Sequence, residues 1–170
     1  PRHRFAFEGT TTAFHLNWPA DVRDGGALAA DYDQFRRDEM TAFVAELAAA
    51  VRAVDPAVQV SAAVFPLPEA VEQYGQDWPA WLRAGHLDFV APMLYESTAA
   101  RFADRLDRCL AAVPAPGKIL PGIGSSADQS QLDALGIAEQ IQIARGRKTA
   151  GFVFFHLDAQ LEQFLPLFAR

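Results

Sequence analysis

The sequence is poor in cysteine and in positive charge. Its 170 residues include a single cysteine, Cys109, which excludes an internal disulfide framework and any metal site built from several cysteines. Lys and Arg number 15 against 21 Asp and Glu, so the formal net charge is -6. A surface for nucleic acid or for an anionic membrane therefore has no electrostatic support, whereas neutral ligands such as sugars remain open.

Several functional motifs are missing as well. No run approaches the roughly 20 apolar residues that a membrane span requires. The patterns H-E-x-x-H and G-x-S-x-G are absent, as is any metal-spaced histidine cluster, so we expect neither a metal nor another cofactor. The chain begins at Pro1 and reads as a piece cut from a longer protein, which leaves its compartment unassigned.

Four short and nearly continuous hydrophobic runs predict a parallel sheet. Strands that are buried on both faces have this pattern, whereas a half-exposed strand alternates apolar and polar residues. The runs begin about 30 residues apart, which is the length of a strand, a covering helix and two loops. They are residues 58–65, 87–95, 118–124 and 151–155.

Amphipathic patterns fill the gaps between these runs. Met40, Phe43 and Leu47 lie on one stripe of a long helix predicted over residues 27–54. Two short helical pieces broken at Gly75 are predicted within residues 67–83. Further helices are predicted over residues 102–113, 135–145 and 161–168.

The order of these elements is one helix followed by four βα units. Two α/β architectures fit that order, an open doubly wound sheet and part of a closed (β/α)8 barrel. A whole barrel has eight units, so this chain would supply about half of one. We divide the chain into a long βα loop at residues 1–26 and a helix plus four βα units at residues 27–170.

Ligands of parallel α/β sheets bind at the carboxyl ends of the strands, which selects the candidate site residues. Glycosidic cleavage needs two carboxyls that flank the bond, and aromatic faces pack on sugar C–H surfaces. The candidate catalytic residues are Glu96 and Asp77, and the candidate substrate-binding residues are Trp78, Met93, Tyr95, His156 and Asp158.

Each candidate also has a structural interpretation. Asp77 and Asp158 are placed to cap the helices that follow them. Trp78 is either a stacking platform or a residue buried at the rim, and Tyr95 is either a substrate contact or a core residue. Glu96 is either a catalytic residue or a solvated loop carboxylate. His156 is either a ligand contact or a histidine whose hydrogen bonds are satisfied within the protein.

One motif points to a different function. Gly122-Ile-Gly124-Ser-Ser-Ala127 matches the glycine-rich dinucleotide fingerprint after a strand. The acidic residue that should follow about 20 positions later is misplaced, and the polar segment at 128–131 delays the helix that should receive a pyrophosphate. A flavodoxin-like domain that holds a phosphate or nucleotide is therefore kept only as an alternative.

Longer segments resemble the glycosyl-hydrolase-like family 10. The strongest likeness is in residues 76–82, QDWPAWL, and in residues 88–95, DFVAPMLY. Residues 17–22, 60–66 and 120–124 fit the same pattern, so the resemblance covers nearly the whole chain. Glu96 and His156 depart from it, since smaller polar residues are expected at both positions.

The resemblance implies a (β/α)8 barrel that acts on glycans, often bacterial and extracytoplasmic, with cell-wall polysaccharide among the suggested substrates. It also implies that strands one to four lie outside this chain, together with a catalytic acid at the end of the fourth strand. The expected function is hydrolysis of O-glycosidic bonds, and the alternative of a different class is a non-catalytic glycan-binding barrel. The expected partners are a carbohydrate and either the other half-barrel or a second copy at the open sheet edges.

Overall fold

The computed structural model describes residues 25–26 and 29–168, and a parallel sheet lies at the centre of this part of the chain. The strands of the described residues are β1 (Ser61–Val64), β2 (Phe89–Leu94), β3 (Gly122–Gly124), β4 (Ser126–Ala127), β5 (Ser130–Gln131) and β6 (Val153–Phe155). The main sheet has the order β1-β2-β3-β6, and each neighbouring pair is parallel. The predicted parallel sheet is therefore confirmed.

Helices alternate with the strands of the main sheet. They are α1 (Ala29–Val54), α2 (Glu69–Glu72), α3 (Trp78–Arg83), α4 (Ala99–Ala111), α5 (Ala134–Gly146) and α6 (Ala159–Phe168), with a short 3-10 helix at Pro116–Lys118. The break predicted at Gly75 is present between α2 and α3, where this glycine has a φ of 67°. Thr98 caps α4, so that helix begins earlier than its apolar stripe indicated.

The strands are shorter than the hydrophobic runs that predicted them. Residues 118–124, for example, contribute only Gly122–Gly124 to β3, because the 3-10 helix reaches into the start of this run. A second difference is the antiparallel hairpin of β4 and β5, which the sequence did not predict. Its strands have two residues each, too few to produce a recognisable pattern.

The outward face of the main sheet forms the hydrophobic core with the helices. Val64, Val90 and Ile123 point to this face and are fully buried. Phe102 of α4 and Ile137 of α5 are buried against the same cluster. Burial of these side chains, at roughly 25 cal/mol per Å² of apolar surface, is the main force that holds the helices on the sheet.

The inward face of the sheet is more open. Met93 pairs with Gly122, and Gly122 pairs with Val153, so these three residues share the inward face. Val153 keeps 41% of its surface exposed, and Phe155, two residues further along the same face, keeps 47%. Among the described residues, β1 and β6 each have a neighbouring strand on one side only.

The loop predicted at residues 1–26 lies outside the described residues, apart from Gly25 and Gly26. Within the described part of the chain, no helix is long and apolar enough to cross a membrane.

Candidate active site

A cleft lies at the carboxyl end of the main sheet, where parallel α/β proteins bind their ligands. It has a volume of about 670 Å³ and combines aromatic with charged side chains. Four of the seven predicted site residues line it, namely Met93, Tyr95, Glu96 and His156. Its other lining residues are Phe65, Pro66, Ser97, Arg101, Arg105, Ser126, Ala127, Asp128, Gln129 and Phe155.

Tyr95 forms the floor of the cleft, because both inward-facing residues of β3 are glycines. A Cβ at Gly122 would lie 3.3 Å from Cε1 of Tyr95, and one at Gly124 would lie 2.9 Å from Cβ of Tyr95. The glycine-rich motif therefore provides room for a tyrosine ring. Burial raises the pKa of the Tyr95 phenol, so this group stays protonated near neutral pH and can donate a hydrogen bond.

The chain after these glycines also lacks the form of a nucleotide site. It continues into the β4–β5 hairpin, where the Ser130 hydroxyl donates to the carbonyl of Gly124 at 2.6 Å. A dinucleotide fold needs a helix N-terminus directly after the glycines, and α5 begins only at Ala134. The phosphate-binding interpretation of this motif is therefore not supported by its geometry.

Phe155 is a cleft residue that the sequence analysis did not select. Its ring stacks on that of Tyr95, with 5.0 Å between centroids and 20° between planes. The two side chains meet across β3, because Gly124, which pairs with Phe155, has no side chain to separate them. Period-two alternation in residues 151–155 is the signal that would have placed Val153 and Phe155 on the inward face.

Glu96 is held by two arginines of α4. Its Oε2 lies 2.9 Å from Nε of Arg101, and its Oε1 lies 3.3 Å from Nε of Arg105. The Glu96 carbonyl also accepts a hydrogen bond of 2.7 Å from the buried amide of Gln140. Only 11% of the Glu96 side chain is exposed, so this carboxylate is a fixed part of the cleft wall and not a solvated loop residue.

The two arginines differ in their number of carboxylate partners and in their exposure to solvent. Arg105 also donates to Oε1 of Glu69 at 3.0 Å, so it lies between two carboxylates. The Arg101 side chain is 71% exposed, and Glu96 is its ion-pair partner among the described residues. The pair occupies positions i and i+4 of α4, a spacing that shares one helix face and that the sequence analysis did not use.

The structure does not bring Asp77 and Trp78 into the cleft. Asp77 caps α3, accepting a hydrogen bond of 3.1 Å from the Ala80 N–H. Trp78 is fully buried, and its indole N–H donates to the carbonyl of Phe65 at 3.1 Å. Asp77 is therefore a helix cap and Trp78 a buried residue, which are the structural interpretations that the sequence allowed. Neither residue lines the cleft.

Asp158 and His156 lie at the edge of the cleft. The Ser126 hydroxyl, followed by the Leu161 N–H, lowers the pKa of Asp158, whose Oδ1 accepts from Leu161 at 2.8 Å and caps α6. Oδ2 of Asp158 lies 4.0 Å from Nε2 of His156, whose side chain is 56% exposed. His156 thus lines the cleft, whereas Asp158 caps the last helix and is not part of the lining.

Metal chemistry has no ready donor set in this part of the chain. Within residues 25–26 and 29–168, no group of three or more His, Cys, Asp or Glu side chains is arranged to hold a metal ion. What the cleft offers is an aromatic floor, a fixed carboxylate, an exposed guanidinium and an imidazole. This combination suits a polyhydroxylated ligand with an apolar face, such as a sugar.

A parallel sheet under helices, with an aromatic and polar cleft at its carboxyl end, defines the class of barrel-type α/β proteins. The sequence agrees with this class, since residues 14–120 match the family model described as Glycosyl hydrolase-like 10. The chain belongs to that family. Among curated proteins, none has a significantly similar sequence.

The fold is shared with a solved glycoside hydrolase domain. The chain superposes on the PgaB (BpsB) glycoside hydrolase domain from Bordetella bronchiseptica with a TM-score of 0.64 and 18% sequence identity. The likeness covers 92% of this chain and 49% of that domain, so the chain spans about half its length. The predicted fold class, a partial TIM-type barrel, is confirmed.

Proposed function

We propose that this chain supplies part of the active cleft of a glycoside hydrolase that cleaves O-glycosidic bonds of a glycan, with cell-wall polysaccharide as its substrate class. The observation that carries the proposal is the cleft itself, in which Met93, Tyr95, Glu96 and His156 converge in a chain of the glycosyl hydrolase-like 10 family. In this assignment Met93, Tyr95 and His156 contact the sugar.

Glu96 is the carboxylate that we assign to the reaction. Hydrolysis of a glycoside uses one carboxyl that protonates the leaving oxygen and one carboxylate that acts as base or nucleophile. A guanidinium lies beside each oxygen of Glu96, and we assign this side chain the second role, that of base or nucleophile. The other cleft carboxylate among the described residues, Asp128, lies on the exposed turn of the hairpin, so the proton donor would come from the rest of the barrel.

The test is turnover by the protein in its natural full length, comparing wild type with Glu96→Gln. The substitution keeps the shape of the side chain and removes its charge, so we expect kcat to fall by about 10² to 10⁴-fold, the usual contribution of such a group. Glu69→Gln is the matched control, because Glu69 also pairs with Arg105 but does not line the cleft. Equal turnover of wild type and Glu96→Gln would remove Glu96 from the mechanism.

A second candidate is a barrel that binds glycans without cleaving them. It is favoured by the same ion pairs, because a carboxylate that is 11% exposed and held by two arginines offers little surface to a substrate. In this case the wild-type protein would bind oligosaccharides and release no reducing ends from them. Glu96→Gln would then change the free energy of unfolding and leave hydrolysis at zero.

A further inference from the structure

Phe155 and Phe154 are adjacent aromatic residues with opposite surroundings. Phe154 points to the outward face of β6, where its ring lies 5.3 Å from that of Phe152 and 6.4 Å from that of Phe168. Phe155 points inward to the cleft and keeps 47% of its surface exposed. Phe155 differs from Val153, which is 41% exposed on the same inward face, because Phe155 lines the cleft at the carboxyl end of the sheet, where a ligand can pack on its ring.

The Phe155 ring is held in place from behind. Tyr95 stacks on one of its faces at 5.0 Å, and His156 meets it edge-on at 5.3 Å and 69°. Tyr95 is itself confined by Gly122 and Gly124, where added side chains would collide with it. One ring face of Phe155 is therefore covered by Tyr95, and the side chain contributes to the lining of the cleft. A surface that is ordered before binding loses little entropy when a ligand arrives.

We propose that the free face of Phe155 is the stacking surface for a sugar ring, with Tyr95 as the positioning residue behind it. This inference rests on the proposed glycan-directed function and names the part of the substrate that the cleft holds. A pyranose ring has an apolar C–H face that packs on an aromatic ring, while its hydroxyls point outward. Around Phe155 those hydroxyls meet the exposed polar groups of Arg101 and His156.

The experiment uses the full-length protein and an array of defined bacterial, fungal and plant oligosaccharides. The oligosaccharide that wild type binds best is then titrated by calorimetry against three variants. Phe155→Leu keeps an apolar side chain but removes the ring face, so we expect affinity to fall about tenfold or more. Phe155→Tyr keeps the face and should bind within about threefold of wild type.

The matched control is Phe154→Leu, one residue away on the opposite face of β6. It removes core contacts with Phe152 and Phe168, so it should lower the melting temperature while affinity stays within about twofold. Tyr95→Phe tests the positioning role. It keeps the ring behind Phe155 and loses only the phenol that we assign to a sugar contact, so it should recover most of the affinity that Tyr95→Leu loses.

The outcomes separate this inference from the function on which it rests. If wild type binds no oligosaccharide of the array, the proposed function fails. If wild type binds and Phe155→Leu binds equally well, the function stands and the stacking role of Phe155 is wrong. If Phe154→Leu weakens binding as much as Phe155→Leu, the effect is one of general stability, and the stacking role is again wrong.

Discussion

The two ends of the same sheet use their polar groups in opposite ways. At the amino end, Asp88 accepts hydrogen bonds from the Val60 N–H at 2.7 Å and from Arg52 at 3.0 Å, and Arg52 also donates to the carbonyl of Gly85. At the carboxyl end, Arg101 and His156 keep 71% and 56% of their side chains exposed. Asp88 and Arg52 at the amino end are thus bonded to each other and to the backbone, whereas Arg101 and His156 at the carboxyl end line the cleft.

This contrast agrees with our proposal, in which the amino end serves stability and the carboxyl end binds a ligand. In (β/α) barrels the loops after the strands carry the ligand site, while the opposite end joins the units. Asp88 follows this rule, because its carboxylate links β2 to the residue before β1 and, through Arg52, to α1. Substitutions at the amino end should therefore change stability alone, and substitutions in the cleft should change binding or turnover as well.

Among substitutions that test the difference between the two ends, Gly124→Ala in the cleft should have the largest effect on the free energy of unfolding. A Cβ at this position collides with Ser130 Oγ and would lie 2.9 Å from Cβ of Tyr95 and 3.0 Å from Cβ of Ala127. We expect a loss of about 3 kcal/mol in the free energy of unfolding, because the hairpin and the tyrosine must both move. Urea denaturation measures this loss, and any glycan binding should weaken with it.

Gly117→Ala is the matched control for that substitution. Gly117 lies in the 3-10 helix, and a Cβ there meets nothing within 4 Å. Its free energy of unfolding should stay within about 0.5 kcal/mol of wild type. If Gly124→Ala proves equally harmless, Tyr95 does not depend on the glycines of β3 for its position.

A smaller effect is expected from Asp88→Asn at the amino end. The Val60 N–H, followed by Arg52, lowers the pKa of Asp88 below its ordinary value of 3.8. Its contribution is thus complete above pH 3.8 and is lost as the pH falls through the lowered pKa of the folded state. We expect Asp88→Asn to cost about 1 kcal/mol at pH 7, since the side chain is one-third exposed and screened by solvent.

Chemical denaturation across a pH series checks this expectation. The difference between wild type and Asp88→Asn should shrink as the pH drops below 3.8, because the wild-type carboxylate becomes protonated. Turnover and glycan affinity at neutral pH should not change. A difference that stays constant with pH would mean that the charge of Asp88 does not contribute, and altered affinity would contradict the division of roles between the two ends.

Local signals in the sequence predicted the parallel sheet, whereas the choice of a barrel over an open doubly wound sheet came from the family resemblance, and the hairpin was missed. Buried parallel strands have continuous hydrophobic runs, and the rule for carboxyl ends then selects Tyr95, Glu96 and His156 as cleft residues. The contacts that define the cleft are not local. The indole N–H of the buried Trp78 bonds to the carbonyl of Phe65, 13 residues away, and the contact of Phe155 with Tyr95 depends on strand register across β3. A single sequence gives no direct measure of either.

The smallest expected effect is at Cys109, which is fully buried in α4 and should not react with an alkylating reagent in the folded protein. Burial raises the pKa of its thiol to about 11, so the nucleophilic thiolate is scarce at neutral pH and sterically covered. Iodoacetamide at pH 8 should label no thiol in the folded protein and one thiol of this segment in urea. Labelling that equals the urea control would show that α4 separates readily from the sheet. Since α4 carries both arginines that hold Glu96, the same result would mean that the cleft wall is not fixed in solution.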